Sequence, residues 1–359
     1  MQELLHALLQ QAVASGASDL HLKAGSYPIV RVHGELAPLT TERRLESAET
    51  AQIAAALLTP ELRQRFERQR EVDLAYSVPG LGRFRCNVYQ QRGTIGLALR
   101  VIPMRVPTLE ELNLPPVLAK IADEERGLIL VTGTTGSGKS TTLAAMIEHI
   151  NRTAACHIIT IEDPIEFLHR DRGCLVTQRE VGVDVPSYHE ALRAALRQTP
   201  DVLLLGEIRD TEAAAAALHL AETGHVVLGT LHCTNASQTL ERLVQMFAPD
   251  RRMEICSLLS QNLRGVIAQR LVRRTGGGLV LACEVMLNTP RIRELIRKFD
   301  IHHLRDAIAQ GSRDGMQTFD QALFDLYERG LIAEETALAS AESPNDLRLH
   351  MRGFATTRR

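Results

Sequence analysis

The stretch LILVTGTTGSGKSTTLAAMI, Leu128 to Ile147, decides the reading of the second half of the chain. Leu128 to Val131 form a continuous apolar run, which suits a strand buried on both faces of a sheet. Gly133, Thr134, Thr135, Gly136, Ser137, Gly138, Lys139 and Ser140 then match G-x-x-x-x-G-K-[ST], the phosphate-binding loop, and Thr141 continues the hydroxyl run. The glycines let the backbone curl so that N–H groups point inward at phosphates. The helix that follows presents its positive end to the same anion. Lys139 can reach the β and γ phosphates, and the Ser140 hydroxyl is a Mg²⁺ ligand. Leu143, Met146, Ile147 and Ile150 share the inner face of that helix. A chance glycine-rich turn would need strand, helix and every fixed position to coincide. The stretch predicts a nucleoside triphosphate site.

Around it, HIITIED, DVLLLGE and HVVLGTLH are further short apolar runs separated by helical stretches, the pattern of a mainly parallel α/β sheet. Hydrolysis needs carboxylates to hold metal and orient water, and positive charge for the transition state. DVLLLGEIRD ends an apolar strand in Glu207, and TIEDPIE offers Glu162, Asp163 and Glu166 at the end of another. Taken singly, each carboxylate is equally a solvated loop residue or a helix cap; together, beside a phosphate loop, they read as a site. His225 and His232 flank HVVLGTLH without the cysteine or carboxylate spacing of a zinc centre. PSYHEALRAALRQTP predicts a helix, boxed by Ser187 and Glu190 and closed by Pro200. The alanine run Ala213 to Ala217 suits another, and after about Arg252 the chain reads as mostly helical.

Towards the N-terminus, Pro103, Pro107, Pro115 and Pro116 punctuate residues 103–116, where we place an interdomain linker. Before it, Leu4, Leu5, Leu8, Leu9 and Val13 lie at helical spacing and Gly16 stops the helix. YPIVRVHGEL alternates as a strand, Val30 and Val32 opposite Arg31 and His33. Residues 47–68 read as one helical stretch, and GRFRCNVYQQRGTIGLALRVIP as two strands about a glycine turn.

Composition bounds the function. At 359 residues, 45% hydrophobic and 23% charged, the chain is an ordinary globular protein of about two domains. A net charge of −2 does not favour capture by nucleic acid or anionic lipid. No apolar run approaches the roughly 20 residues of a membrane span. The N-terminus reads as an amphipathic helix and not a secretion signal, and six scattered cysteines with no C-x-x-C pair suggest reduced thiols. Both point to the cytoplasm.

The ordered set GTTGSGKST, TIEDPIEF, LLLGEIRD and ETGHVVLGTLH resembles the Walker A, Asp box, Walker B and His box of the secretion ATPase superfamily. Within it, SDLHLKAG, RVHGEL, LVTQREVG, ALRAALRQTPD and GMQTFD resemble the PilT-type retraction ATPases of type IV pili. The resemblance spans nearly the whole chain. It implies α/β protomers with a PAS-like α+β domain over residues 1–102, the linker, and a RecA-like ATPase domain with a helical C-terminal part over residues 117–359. Six such protomers would form a ring that hydrolyses ATP with Mg²⁺ to power pilus retraction and twitching motility.

By the same resemblance Glu166 is the catalytic glutamate, and Glu207 is the Walker B acid, holding metal with Ser140. His225 and His232 are the His-box pair, and Arg85 and Arg100 are γ-phosphate-sensing arginines. The implied partners are an inner-membrane pilus platform protein and other pilus base components, at the inner face of the cytoplasmic membrane, with peripheral attachment through those partners and no nucleic acid. Two positions depart from the family. Thr134 replaces a usual proline, and RIRELIRK, residues 291–298, keeps Ile292, Arg293, Leu295, Ile296 and Arg297 of a retraction-linked motif but differs at Arg291, Glu294 and Lys298.

Alternatives are an accessory retraction or an assembly ATPase, a DNA-translocating RecA-like ATPase, and a non-hydrolysing switch. Assembly ATPases are longer and usually carry a C-x-x-C insertion, absent here. Near-neutral charge disfavours DNA, and the intact acidic motifs disfavour a mere switch.

Overall fold

The computed structural model describes residues 2–32, 34–40, 42–103 and 105–357, so His33 of the expected strand and Met104 of the expected linker lie outside the described residues. The chain divides into two compact units, Met1–Arg105 with Glu166–Leu168, and Val106–Ile165 with His169–Arg359.

In the first unit, helix α1 (Gln2–Ala14) buries Leu5, Leu8, Leu9 and Ala12, as their spacing predicts. Six antiparallel strands follow: β1 (Asp19–Lys23), β2 (Ile29–Val32), β3 (Glu35–Pro38), β4 (Glu71–Val78), β5 (Gly82–Gln91) and β6 (Thr94–Ile102). They lie in the order β3-β2-β1-β6-β5-β4. On β5, Phe84, Cys86 and Val88 are buried while Arg85 between them is exposed, the period-2 signature of a half-covered sheet. The single helical stretch expected over residues 47–68 is instead two helices, α2 (Ser47–Leu57) and α3 (Pro60–Gln69). Pro60 pushes Thr59 out of helical backbone into extended conformation, and the Thr59 hydroxyl caps the new helix by accepting from Leu62 N.

The second unit holds β7 (Gly127–Gly133), β8 (His157–Glu162), β9 (Leu175–Glu180), β10 (Val202–Leu205), β11 (Val226–Leu231), β12 (Leu263–Arg273) and β13 (Leu279–Leu287), ordered β13-β12-β7-β11-β10-β8-β9. All pairs are parallel except β12 with β13. Every residue of β7, β10 and β11 is buried, because apolar layers cover both faces of the sheet. The helices between strands are α4 (Val117–Ala122), α5 (Lys139–Thr153), α6 (Tyr188–Ala195), α7 (Thr211–Glu222), α8 (Ala236–Gln245) and α9 (Arg252–Asn262). Ser187 caps α6 by accepting from Glu190 N.

Beyond Arg252 the chain is mostly helical, as expected, with one exception. After α9 comes the β12–β13 hairpin, turning through Gly276, Gly277 and Gly278, all at positive φ. Its apolar runs add an edge to the sheet; α10 (Pro290–Arg297) and the helix from Leu304 join the main core, while the helices from Phe319 onward pack on Ala268, Val272 and Ala282 of the hairpin. The cysteines, scattered in sequence, are all free. Folding nevertheless brings Cys156 Sγ to 3.3 Å from Cys174 Sγ, and burial pushes the Cys156 thiol up to about 12.

Candidate nucleotide site

Parallel register decides which chain ends meet. Thr132 of β7 lies opposite Leu231 of β11, Leu205 of β10 opposite Gly229, and Leu205 opposite Ile161 of β8. The segments leaving β7, β8, β10 and β11 therefore emerge along one sheet edge: the phosphate loop, Asp163 onward, Gly206–Glu207 and His232. Ligands of open α/β sheets bind at this carboxyl edge.

The loop is built by conformation and close approach. Gly133 has φ +152, and a Cβ there would come within 2.6 Å of the Gln269 carbonyl. Gly138, at φ +90, is the N-cap of α5, so the helix begins at Lys139 without a side-chain cap. Its first N–H groups are left for another acceptor. Lys139 is 9% exposed, and Nζ donates to the carbonyls of Gly133 at 2.9 Å and Thr134 at 3.0 Å. Among the described residues Ser137 Oγ is buried without a partner, while Thr134, Thr135 and Gly136 are exposed and Ser140 and Thr141 half-buried. A cradle too tight for a Cβ, an orphaned hydroxyl and a half-sequestered ammonium suit a phosphate chain. Leu143, Met146, Ile147 and Ile150 are buried beneath it.

Two side chains that sequence reasoning missed hold the loop in place. Thr132 Oγ1 donates to the Leu231 and Cys233 carbonyls and accepts from Cys233 N, tying β7 to the end of β11. Gln269 of β12, fully buried, donates from Nε2 to Thr142 Oγ1 at 2.7 Å. Gln269 was invisible because its strand was read as helix; the triple glycine was the available hairpin signal.

Glu207, just past β10, is gripped from both sides. Oε1 lies 3.2 Å from His232 Nε2, and Oε2 accepts from Arg209 Nε at 2.8 Å. Arg209 reaches on to Asp163 at 3.5 Å. Glu162 accepts from Thr160 Oγ1 and Gln178 Nε2. Glu166 is exposed and makes no hydrogen bond or ion pair among the described residues.

The two histidines do not share a site. His232 follows β11 at the phosphate-loop edge. His225 precedes the strand, its carbonyl accepting from Gly127 N and its Nδ1 lying 3.1 Å from the Leu220 carbonyl. Six strand residues, about 20 Å, separate them. The strand between them carries the two to opposite ends of β11.

In the first unit, Arg85 and Arg100 are direct cross-strand partners on the exposed face of β5 and β6. Arg100 Nε donates to Asp19 Oδ1 at 2.9 Å.

Residues 1–314 match the family described as type II/IV secretion system protein. The chain belongs to that family. It is 46% identical to the type IV pilus ATPase PilU of Pseudomonas aeruginosa, over 95% of this chain and 90% of that protein. It is 45% identical to the type IV pilus retraction ATPase PilT of the same organism, over 94% and 98%. The solved structure of the pilus retraction motor PilT with bound ADP superposes with a TM-score of 0.89 at 43% identity, covering 95% of this chain and 98% of that one. The fold is thus the N-terminal domain plus RecA-like ATPase domain of these family members, and the chain is an ATPase of that family.

Proposed function

We propose that this chain is the motor subunit of type IV pilus retraction, a ring ATPase that converts ATP hydrolysis into withdrawal of pilin. It is an ATPase of the pilus-retraction type. The supporting observation is a complete phosphate loop at the sheet edge in a chain similar, over 94% or more of its length, to two pilus ATPases.

Bound ATP with Mg²⁺ supplies the phosphoryl group and screens its charge. Lys139 exchanges the Gly133 and Thr134 carbonyls for β and γ oxygens, and the first N–H groups of α5 hold the chain of phosphates. Ser140 and Glu207 would hold the metal, Glu207 through the carboxylate that Arg209 and His232 now flank. Glu166, unpaired and exposed, orients the attacking water as general base. His225 lies at the other end of β11 from His232. Arg85 and Arg100 reach the terminal phosphate of a neighbouring protomer in a homo-hexamer. The domain division is a PAS-like domain over 1–102, a linker over 103–116 and the ATPase domain over 117–359.

Among the described residues no helix is long and apolar enough to cross a membrane. Attachment to the inner face of the cytoplasmic membrane accordingly runs through a platform protein and other base components. The near-equal similarity to PilU, a type IV pilus ATPase whose name does not specify retraction, keeps a second reading, an accessory retraction ATPase. Expression in a strain lacking its principal retraction ATPase separates the two: restored twitching assigns the principal role.

The test of the motor is paired, ATPase rate in vitro and retraction in cells. Lys139→Ala is expected to abolish both. On α10, Ile292, Leu295 and Ile296 are buried while Arg293 and Arg297 are exposed. Arg293→Ala or Arg297→Ala should keep hydrolysis within a few-fold and lose twitching. Hydrolysis and retraction falling together in these two variants would show that α10 is no separate output element.

A further inference from the structure

A row of charge crosses the exposed face of the first sheet. In register, Arg31 of β2 faces Asp19 of β1, Asp19 faces Arg100 of β6, and Arg100 faces Arg85 of β5. Asp19 is only 9% exposed, whereas Arg85 and Arg100 are open to solvent. Both carboxylate oxygens are engaged. Oδ1 accepts from Arg100 Nε at 2.9 Å, Oδ2 accepts from Ser18 Oγ at 2.8 Å, and Arg31 Nε stands 3.8 Å away. Burial opposes ionisation, but the hydrogen bonds from Arg100 and Ser18 outweigh it and hold the Asp19 carboxyl below its ordinary range.

Two features of the row do not suit a purely structural ion pair. Like charges directly opposed across an antiparallel pair repel, and Asp19 lies on only one side of Arg100, leaving Arg85 unbalanced. Moreover, Asp19 meets Arg100 at Nε alone, so among the described residues the two Nη groups carry no hydrogen bond and remain available as a fork. A fork of that kind matches a phosphate's oxygens bidentately, provided the long side chain is held still.

We propose that Asp19 is a positioning residue: by anchoring Arg100 at Nε it turns the Nη fork outward beside Arg85, in the orientation that reads a terminal phosphate. The inference rests on the reading of Arg85 and Arg100 as phosphate contacts, and it adds the group that orients them. The Ser18 hydroxyl and Arg31 fix the carboxylate from behind, so the anchor does not swing when the fork engages.

The test is a double-mutant cycle on the full-length ATPase. Asp19→Ala is expected to lower kcat about tenfold with KM for ATP changed less than about twofold, the kind of loss that follows a slightly misplaced group. Arg100→Ala should lose more, and adding Asp19→Ala to it should change kcat by no more than about twofold. Asp19→Asn, which still accepts from Nε, should recover most of the activity; a role in sheet stability alone would move the melting temperature and not this kcat pattern. If Asp19→Ala does not fold, Asp19→Ser, too short to reach Nε, carries the same cycle. Wild-type kcat in a folded Asp19 variant, or losses that multiply with Arg100→Ala, overturns the positioning role. Wild-type kcat in Arg100→Ala instead removes the phosphate reading itself, so the two failures are told apart.

Discussion

The phosphate loop and the arginine row both offer donors to an anion, and they are built in opposite ways. The loop is eight consecutive residues whose donors are mainly backbone N–H groups, shaped by Gly133 and Gly138 and aimed by a helix that starts at Lys139. The row draws Asp19, Arg85 and Arg100 from three strands, and only antiparallel register sets them side by side. A local motif carries its own geometry. A cross-strand motif borrows it from the sheet, so a one-residue slip would send every member to the buried face. The loop should therefore fail absolutely when damaged, while the row, serving another subunit in the proposed ring, should fail in a way that mixing can repair.

The largest effect sharpens the first half of that contrast. Glu166→Gln and Glu207→Gln preserve shape at the sheet edge and remove charge. Each is expected to bind nucleotide normally and to lose at least ~10²-fold in turnover, the usual scale of general-base or electrostatic contributions. Steady-state hydrolysis alongside nucleotide titration checks it; a wild-type rate in either variant removes that carboxylate from the chemistry.

An intermediate effect addresses the row. Arg100→Ala subunits should be strongly impaired and Lys139→Ala subunits inactive, and hexamers mixed from both should exceed either alone. Sites that combine an intact loop with a neighbour's intact arginines account for the gain. Mixed rings of verified composition that do not exceed either alone would break the comparison, because the row would then serve its own chain.

The smallest effect lies outside both regions. Glu284 of β13 is buried at 2% exposure and accepts from Ala236 N at 2.7 Å. Burial pushes its carboxyl up to about 7, against the opposing pull of the Ala236 N–H. A folded acid with a raised pKa binds more protons than the unfolded chain between about pH 4.5 and 7, so its contribution to stability falls as pH rises through that window. Glu284→Gln keeps an acceptor for Ala236 and removes the titration. Its melting temperature relative to wild type should rise from pH 5 to pH 8, with a ceiling of ~3 kcal/mol in stability. A pH-independent difference counts against the buried acid.

The sequence by itself determined the loop, the strand before it, the helix after it and the acidic strand ends, because each is written in adjacent residues. Apolar runs such as DVLLLGE name a buried strand wherever it sits, and a G-x-x-x-x-G-K-S turn has one backbone solution. Family resemblance supplied the roles of the arginines and the identity of the two domains. Neither source predicted β12, whose Gln269 braces the loop helix through Thr142, since a strand's identity at a sheet edge depends on the partner it pairs with. Nor did spacing reveal that His225 and His232 part company. Seven residues apart reads as proximity in a list, but extended backbone spends about 3.3 Å on each residue and carries the two to opposite edges. The grip of His232 and Arg209 on Glu207, and of Asp19 on Arg100, belongs to tertiary structure alone. Those partners come from separate strands and loops, and only sheet order and register decide which side chains finish within hydrogen-bonding reach.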